Sequence, residues 1–130
     1  MRKNKNKQRG LAAIEFAITL PVLTLLLLMI VEGSNAMRVY TVLQDASREG
    51  ARLVLREGDM GQVPAVVESI TAQLPETTLG TTVTTDVGGD AVTVEVTYVY
   101  ESMLGLESAL EALSGGDSYV LKAQTTMPLP

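Results

Sequence analysis

A single carboxylate lies inside an apolar run near the start of the chain. Residues 11–31 are apolar except for Glu15, Thr19, Pro21 and Thr24. At ~1.5 Å per residue, a helix over this run would span roughly 30 Å, which is the thickness of a hydrocarbon core. Pro21 removes one backbone donor and predicts a kink. A charged side chain at the bilayer centre costs about 2.5–3.5 kcal/mol on insertion scales, so Glu15 is the first candidate functional residue.

The composition excludes most catalytic chemistry. The 130 residues contain no Cys and no His, which excludes disulfides, thiol chemistry, the usual zinc sites, Ser–His–Asp triads and His acid–base catalysis. No paired carboxylates stand out. Asp86 and Asp90 flank a Gly-Gly pair, but they offer too few oxygens for Ca²⁺ and are ordinary turn residues. We therefore predict no catalytic residue, no metal and no cofactor, and we expect that the protein is not an enzyme.

The charges divide the chain into a basic tail and an acidic body. Residues 1–9 contain five cations and no acid, whereas the rest of the chain contains five cations and fifteen acids. An acidic body argues against a nucleic-acid partner, and the tail is too short and too close to the apolar run for a DNA arm. Among the dozen residues after the run only Arg38 is basic. The positive-inside rule therefore places the N-terminus in the cytoplasm and exports the C-terminal ~95 residues.

Two other interpretations of the N-terminal segment stay open. Ser34-Asn35-Ala36 is similar to the small-x-small cleavage site of a secretory signal peptide, which would release a periplasmic binding module that begins at Met37. Against this, the apolar run exceeds the about 7–15 residues of a signal-peptide core and contains Glu15 and Pro21. The other alternative is a plain single-pass anchored protein with an accessory role, which would keep its original N-terminus.

The helical pattern continues beyond the apolar run. From Ala36 to Glu57, apolar residues recur at three- and four-residue spacing and form one stripe. The stripe consists of Val39, Leu43, Ala46, Gly50, Leu53 and Val54. Gly33-Ser34 offers a flexible point, and Gly58-Asp59-Met60-Gly61 ends the pattern. Together the two segments predict a helix of about 45 residues, on the order of 70 Å long.

Three arginines follow one another at four-residue spacing on this helix. Arg48, Arg52 and Arg56 repel one another by roughly a few tenths of a kcal/mol, and pairs with Asp45 and Glu49 at i+3 offset this repulsion. The face is either a solvated helix surface or a contact surface for acidic groups on a partner subunit. In the second case its candidate contact residues are Arg48, Glu49, Arg52 and Arg56.

The remainder of the chain alternates between helical and strand patterns. A short amphipathic helix with Pro64 in its first turn is predicted from Val63 onward and closes at Leu74-Pro75. The period then changes from 3.6 to 2, which indicates strands. The predicted strands are Thr81–Val87, Ala91–Tyr100 and Tyr119–Met127, the first two joined by a hairpin turn at Gly88-Gly89-Asp90. Before the third strand, the spacing of Leu104, Leu106, Leu110 and Leu113 predicts another helix. Three strands that cover a helix face fit this order.

Two patterns in the first half of the chain resemble those of pilus proteins. A basic leader that ends in Arg9-Gly10, before an apolar helix with Glu15 as its fifth residue, resembles the class III signal of type IV pilins and pseudopilins. Further motifs resemble the TadE-like minor pseudopilins of the tight-adherence (Tad/Flp) type IV pilus system. These motifs are Ala13-Ile14-Glu15-Phe16-Ala17, Leu20-Pro21 and Ala46-Ser47-Arg48-Glu49-Gly50-Ala51-Arg52. The resemblance covers residues 8–56, and the β-rich remainder agrees in order without a specific motif.

The resemblance implies processing and assembly. A prepilin peptidase would cut between Gly10 and Leu11 on the cytoplasmic side, and Glu15, Phe16 and Pro21 would serve assembly. Glu15 could then pair with the new α-amino group on Leu11 of a neighbouring subunit, which is a strong interaction in a low-dielectric helix bundle. Alternatively, Glu15 lies near the membrane interface, reaches water and needs no partner.

The resemblance also implies partners, a location and an organisation. The partners would be the bacterial inner membrane, the prepilin peptidase, other pseudopilins, the major Flp pilin and the pilus assembly platform, in a structure for adhesion or surface attachment. The protein would cross the inner membrane once, with a periplasmic C-terminal domain, and could enter an extracellular pilus. We predict a leader at 1–10, a transmembrane helix at 11–32, its amphipathic continuation at 33–57 and a domain at 58–130. The predicted fold class is α+β, with a long pilin-like N-terminal helix, a short helix and a three-stranded antiparallel sheet.

Overall fold

A computed structural model of the protein describes residues 4–75, 79–85 and 88–130, except for the side chains of residues 4–9 and 110. The chain divides into two compact units, Met1–Ser34 and Asn35–Pro130. The first helix, α1, extends over Asn4–Glu57 and includes the predicted flexible point Gly33-Ser34. Asp86, the first half of the weak Ca²⁺ pair, lies outside the described residues.

The first unit is helical and exposes its apolar side chains. Among the described residues there is one helix long and apolar enough to cross a membrane, found over Gly10–Glu57, with a mean hydropathy of 2.5 in its most apolar window and none of that window buried. Its large apolar side chains are open to the surroundings, as Leu11 and Leu23 show with 59% and 57% exposure. A surface of this composition is more stable in lipid than in water.

In the second unit, α1 turns one face into a protein core. Val39, Leu43, Ala46 and Val54 of the predicted stripe are all buried. Gly58 ends the helix with a φ of 69°, and its N–H donates to the carbonyl of Val54 at 2.8 Å. A left-handed glycine at this position is a usual helix stop, because glycine adopts positive φ without a steric cost.

The second helix, α2, covers Val63–Thr71 and packs on α1. Pro64 stands in its first turn, as predicted, where the missing N–H of proline leaves no helical bond unmade. Val63 and Val67 are fully buried. Leu74, which the sequence pattern placed in this helix, follows the end of α2 and is still buried in the core.

Three antiparallel strands in the order β1-β2-β3 form the sheet. Their bounds are Leu79–Thr85, Ala91–Val99 and Val120–Pro128. In β2, burial alternates along the strand, and Val94 and Val96 are fully buried while their neighbours are half-buried. The opposite face is polar: the Lys122 Nζ atom lies 2.8 Å from the Glu95 Oε2 atom. This alternation agrees with the period of two that indicated a strand here.

A third helix, α3, covers Glu107–Ser114 and joins β2 to β3. Its helical form agrees with the leucine spacing, and Gly115 ends it with a φ of 85°. Unlike α2, it contributes none of its described side chains to the core, and Leu113 is 78% exposed. The predicted α+β class is confirmed: a long N-terminal helix, short helices and a three-stranded antiparallel sheet.

At Gly50, α1 comes close to the rest of the second unit. A Cβ atom built there would stand 2.9 Å from Val63 Cγ1 of α2 and 3.3 Å from Val94 Cγ1 of β2. We expect Gly50→Ala to lower the free energy of unfolding by about 1–3 kcal/mol, because overpacking outweighs the better helix propensity of alanine. Denaturant unfolding of the full chain in detergent, followed by circular dichroism, measures this change.

The control for this prediction is Gly33→Ala, in the same helix. A Cβ at position 33 meets nothing within 4 Å, so this variant should be unchanged or more stable by up to about 1 kcal/mol. Equal unfolding free energies for the two variants would contradict the close approach at Gly50.

Candidate functional site

The predicted cleavage site lies in the helical first unit. Gly10 and Leu11 are both exposed residues of α1. A Cβ at Gly10 would meet nothing within 4 Å, and its φ is not positive. Glycine in a helix costs roughly 0.5–1 kcal/mol relative to alanine. Neither packing nor backbone geometry in the described chain requires a glycine at position 10. At position 50, by contrast, packing does require one.

Glu15 lies one helical turn after Leu11 and is exposed. Among the side chains that the structure describes, none forms an ion pair or a hydrogen bond with its carboxylate. Its neighbour Phe16, also a predicted assembly residue, is 66% exposed. Both side chains are thus exposed on a helix whose apolar surface suits lipid or other helices.

The hydroxyl groups of the apolar run have partners within their own helix. Thr19 Oγ1 donates to the carbonyl of Glu15 at 2.8 Å, and Thr24 Oγ1 donates to the carbonyl of Leu20 at 2.9 Å. Such bonds to the preceding turn satisfy a hydroxyl where no water is available. Pro21 lies inside α1 and provides no N–H for the carbonyl four residues earlier.

The arginine face of α1 lies in the second unit and points away from the core. Arg48 Nη1 stands 4.0 Å from Asp45 Oδ1, and Arg52 Nη1 stands 3.7 Å from Glu49 Oε2, at the predicted i+3 spacing. The arginine side chains are 57% and 66% exposed. Exposed pairs of this kind contribute between zero and about 1 kcal/mol, so the guanidinium groups stay available to other acids. Arg56, in the last turn, is exposed as well.

The motif at residues 46–52 has two structural roles. Its small residues Ala46, Ser47 and Ala51 are fully buried, while its charged residues point outward. Ser47 Oγ donates to the carbonyl of Gln44 at 2.9 Å and lies 2.6 Å from Thr125 Oγ1 of β3. Since a serine hydroxyl has one hydrogen, the Thr125 hydroxyl is the donor in the second bond. Sequence analysis missed this pair, because it depends on the contact between α1 and β3.

No metal-binding group is found in the described part of the chain, where no three His, Cys, Asp or Glu side chains come together. The described arrangement instead offers a helix surface: a lipid-compatible end with one carboxylate, and a later part that fastens a small α+β domain by its small residues. These features define a class of protein, one with an N-terminal helix apolar enough to associate with a membrane and a second, compact α+β unit.

The family model of TadE-like proteins matches residues 10–52. This match confirms the resemblance predicted from the motifs, and over this segment the chain is TadE-like. The family indicates involvement in a Tad pilus system and, together with the apolar helix, association with a membrane. The search of curated proteins and the search of solved structures each gave no significant match.

The hydrogen bond between Ser47 and Thr125 allows a direct test of how the TadE-like segment is attached to the sheet. We expect Ser47→Ala to lower the free energy of unfolding by about 0.5–1.5 kcal/mol, because the half-buried Thr125 hydroxyl loses its partner. Adding Thr125→Val removes the orphaned hydroxyl, and the double variant should recover part of the loss. Denaturant unfolding of the four proteins of this cycle in detergent measures the coupling, and strictly additive effects would contradict the bond.

Proposed function

We propose that the protein is a minor pseudopilin that a prepilin peptidase cuts after Gly10 and that enters, or initiates, a Tad/Flp pilus used for surface attachment. The observation that carries the proposal is the TadE-like match, which begins at Gly10 and extends over the apolar and amphipathic parts of α1. In this proposal the protein has a structural role and is not an enzyme. Its partners are the inner membrane, the peptidase, other pseudopilins, the major Flp pilin and the assembly platform.

The surroundings of Gly10 support a cleavage site there. Because nothing in the described structure contacts a Cβ at this position, the reason for a helix-weakening glycine is sought outside the folded chain. A peptidase that cuts after glycine has no room for a side chain, which supplies such a reason. The basic tail before it favours a cytoplasmic N-terminus, with the second unit in the periplasm.

The Glu15 carboxylate has no partner among the described side chains, which supports a role in assembly. Cleavage leaves an α-amino group on Leu11, four residues before Glu15. Between two adjacent helices in lipid, an ammonium and a carboxylate attract strongly, whereas either group alone is penalised. Because Thr19 and Thr24 are satisfied within the helix, Glu15 is the group in the apolar run that gains most from a partner. Each incoming subunit would thereby be held in register with its neighbour.

The exposed arginine face supports a second contact between subunits. Arg48, Arg52 and Arg56 project from α1 opposite its buried stripe. Their internal pairs are long and exposed, so little free energy is lost when they exchange Asp45 and Glu49 for acids on a partner. We propose that Arg48, Glu49, Arg52 and Arg56 contribute to this contact.

The position of cleavage is the sharpest test of the proposal. We expect the mature protein to begin at Leu11, and Gly10→Val to keep its leader because the valine side chain blocks the peptidase. N-terminal sequencing and mass measurement of protein from native cells give the answer. Gly33→Val, at a second helical glycine with no contact to its Cβ, is the control and should be cut normally.

A mature protein that begins at a different residue would support one of the alternative functions. A chain beginning at Met37 would be a released periplasmic module, and one that keeps Met1 or Arg2 would be a plain anchored protein. Unaltered cleavage of Gly10→Val would remove Gly10 as the site.

The role of Glu15 is tested by substitution after cleavage is established. Glu15→Ala should insert into the membrane and be cut, but it should assemble poorly, because the Leu11 ammonium of each neighbour loses its carboxylate. Loss of one partner from a buried ion pair costs about 3–5 kcal/mol. Pilus counts by electron microscopy and the amount of subunit in sheared fibres measure assembly. Glu15→Asp, which keeps the charge, is the matched control and should assemble better than Glu15→Ala. Normal piliation with Glu15→Ala would show that Glu15 merely reaches water.

A further inference from the structure

Residues 101–119, in the connection between β2 and β3, expose several large apolar side chains. Leu113 is 78% exposed and Met103 is 71% exposed. Tyr119 is 48% exposed, and Val120, the first residue of β3, is 52% exposed. Isolated apolar residues are common on protein surfaces, but several within one short connection indicate a contact surface.

Both ends of this connection are fixed at the start of the second unit. The Asn35 side chain donates from Nδ2 to the Tyr100 hydroxyl at 2.9 Å. The N–H of Tyr100 donates to the carbonyl of Tyr119 at 2.8 Å, and the two rings meet edge to face with centroids 6.5 Å apart. The tyrosine pair therefore holds the connection beside Asn35.

Asn35 is close to the end of the apolar run by chain length alone. It is the fourth residue after Val31, the last residue of the run. Four residues reach about 14 Å when fully extended and about 6 Å in a helix. The headgroup region on each side of the hydrocarbon core is roughly 5–8 Å thick. When the apolar run spans a bilayer, Asn35 therefore lies in or just outside the headgroup region, and the connection starts there.

The chemistry of the connection suits a lipid surface of neutral headgroups. Tyr, Leu and Met side chains are stable at the boundary between headgroups and acyl chains. The acids in the connection are Glu101, Glu107, Glu111 and Asp117, and it contains no Lys or Arg. In α3, Glu107 and Glu111 are one turn apart and lie on the same face of the helix. Leu113, two turns after Leu106, lies on a different face. Four uncompensated acids disfavour an anionic surface, whereas zwitterionic lipid accepts them at its aqueous edge.

We propose that the connection 101–119 rests on the exported surface of the bilayer, with Leu113 and Met103 at the boundary of headgroups and acyl chains. The occupant of this apolar surface is thus lipid with zwitterionic headgroups. The inference rests on the proposed function, because it requires residues 11–31 to span the membrane.

The absence of tryptophan from the chain makes a clean test possible. Leu113→Trp places one fluorophore on the connection, in the full-length protein reconstituted in phosphatidylcholine vesicles. We expect a blue-shifted emission and a loss of roughly half the intensity when the acyl chains carry bromine, since bromine quenches tryptophan only near the acyl region. Because the leucine side chain is largely exposed, the substitution should not disturb the fold.

Two matched variants complete the experiment. Met60→Trp, at a 40% exposed position after the end of α1, should emit as in water and should not be quenched. Leu23→Trp, within the apolar run, should be strongly quenched and reports the membrane span itself. Quenching of Leu23→Trp without quenching of Leu113→Trp would overturn the lipid contact and leave the proposed function intact.

The remaining outcomes of the experiment also decide whether the proposal holds. A blue shift of Leu113→Trp without quenching would mean that protein, such as a second copy of the chain, covers the connection, and it would overturn the proposal. Equal quenching of Leu113→Trp and Met60→Trp would overturn it as well, because the contact would not be specific to the connection. Absence of quenching in Leu23→Trp would remove the membrane span, and with it both the proposed function and this inference.

Discussion

The close approach of α1 to the sheet at Gly50 is the contact on which the second unit depends. At this point the backbone of α1, the side chain of Val63 in α2 and the side chain of Val94 in β2 come together. A larger residue would separate all three elements, because protein interiors are packed without spare volume. The neighbouring Ala46 and Ala51 are fully buried and keep the same face narrow. A helix with a small-residue face can therefore pack closely against the apolar face of the three-stranded sheet.

This packing explains why one motif carries two kinds of residue. The segment at 46–52 alternates small side chains that face the sheet with charged side chains that face outward. Packing fixes the first set, whereas nothing within the described chain fixes the second beyond weak pairs at 3.7 and 4.0 Å. The TadE-like match ends at residue 52, within the same stretch of α1. The family pattern thus covers the helix from its lipid-compatible start to its attachment to the domain.

Most of the fold could be predicted from periodicity, because burial follows the helix and strand repeats closely. The buried stripe of α1 and the inner face of β2 both agree with the spacing of apolar residues. The burial of Ser47 was not predicted, because a search for apolar periodicity ignores polar residues. Its hydrogen-bond partner Thr125 lies 78 positions away in the sequence. The first strand begins at Leu79, two residues before the prediction, since Gly80 interrupts the pattern while pairing with Thr97 keeps it in the sheet.

Less of the candidate site than of the fold could be predicted from the sequence. Glu15 and Gly10 stand out because their residue types conflict with their surroundings, and the structure gives neither of them an internal explanation. The proposed cleavage, pairing and arginine contact all involve other molecules. The exposed connection between β2 and β3 was not visible as a surface in the sequence, because its leucine spacing predicts a helix but not whether that helix is covered.

The local hydrogen bonds of Thr19 and Thr24 have a consequence for how the first helix behaves among other helices. A hydroxyl that already donates to its own backbone exerts little directional attraction on a neighbour. The apolar end of α1 would then keep rotational freedom about its long axis in lipid, since aliphatic side chains prefer no single azimuth. Under the proposed pairing, the Glu15 carboxylate, at a single angle on the helix, would end that rotation.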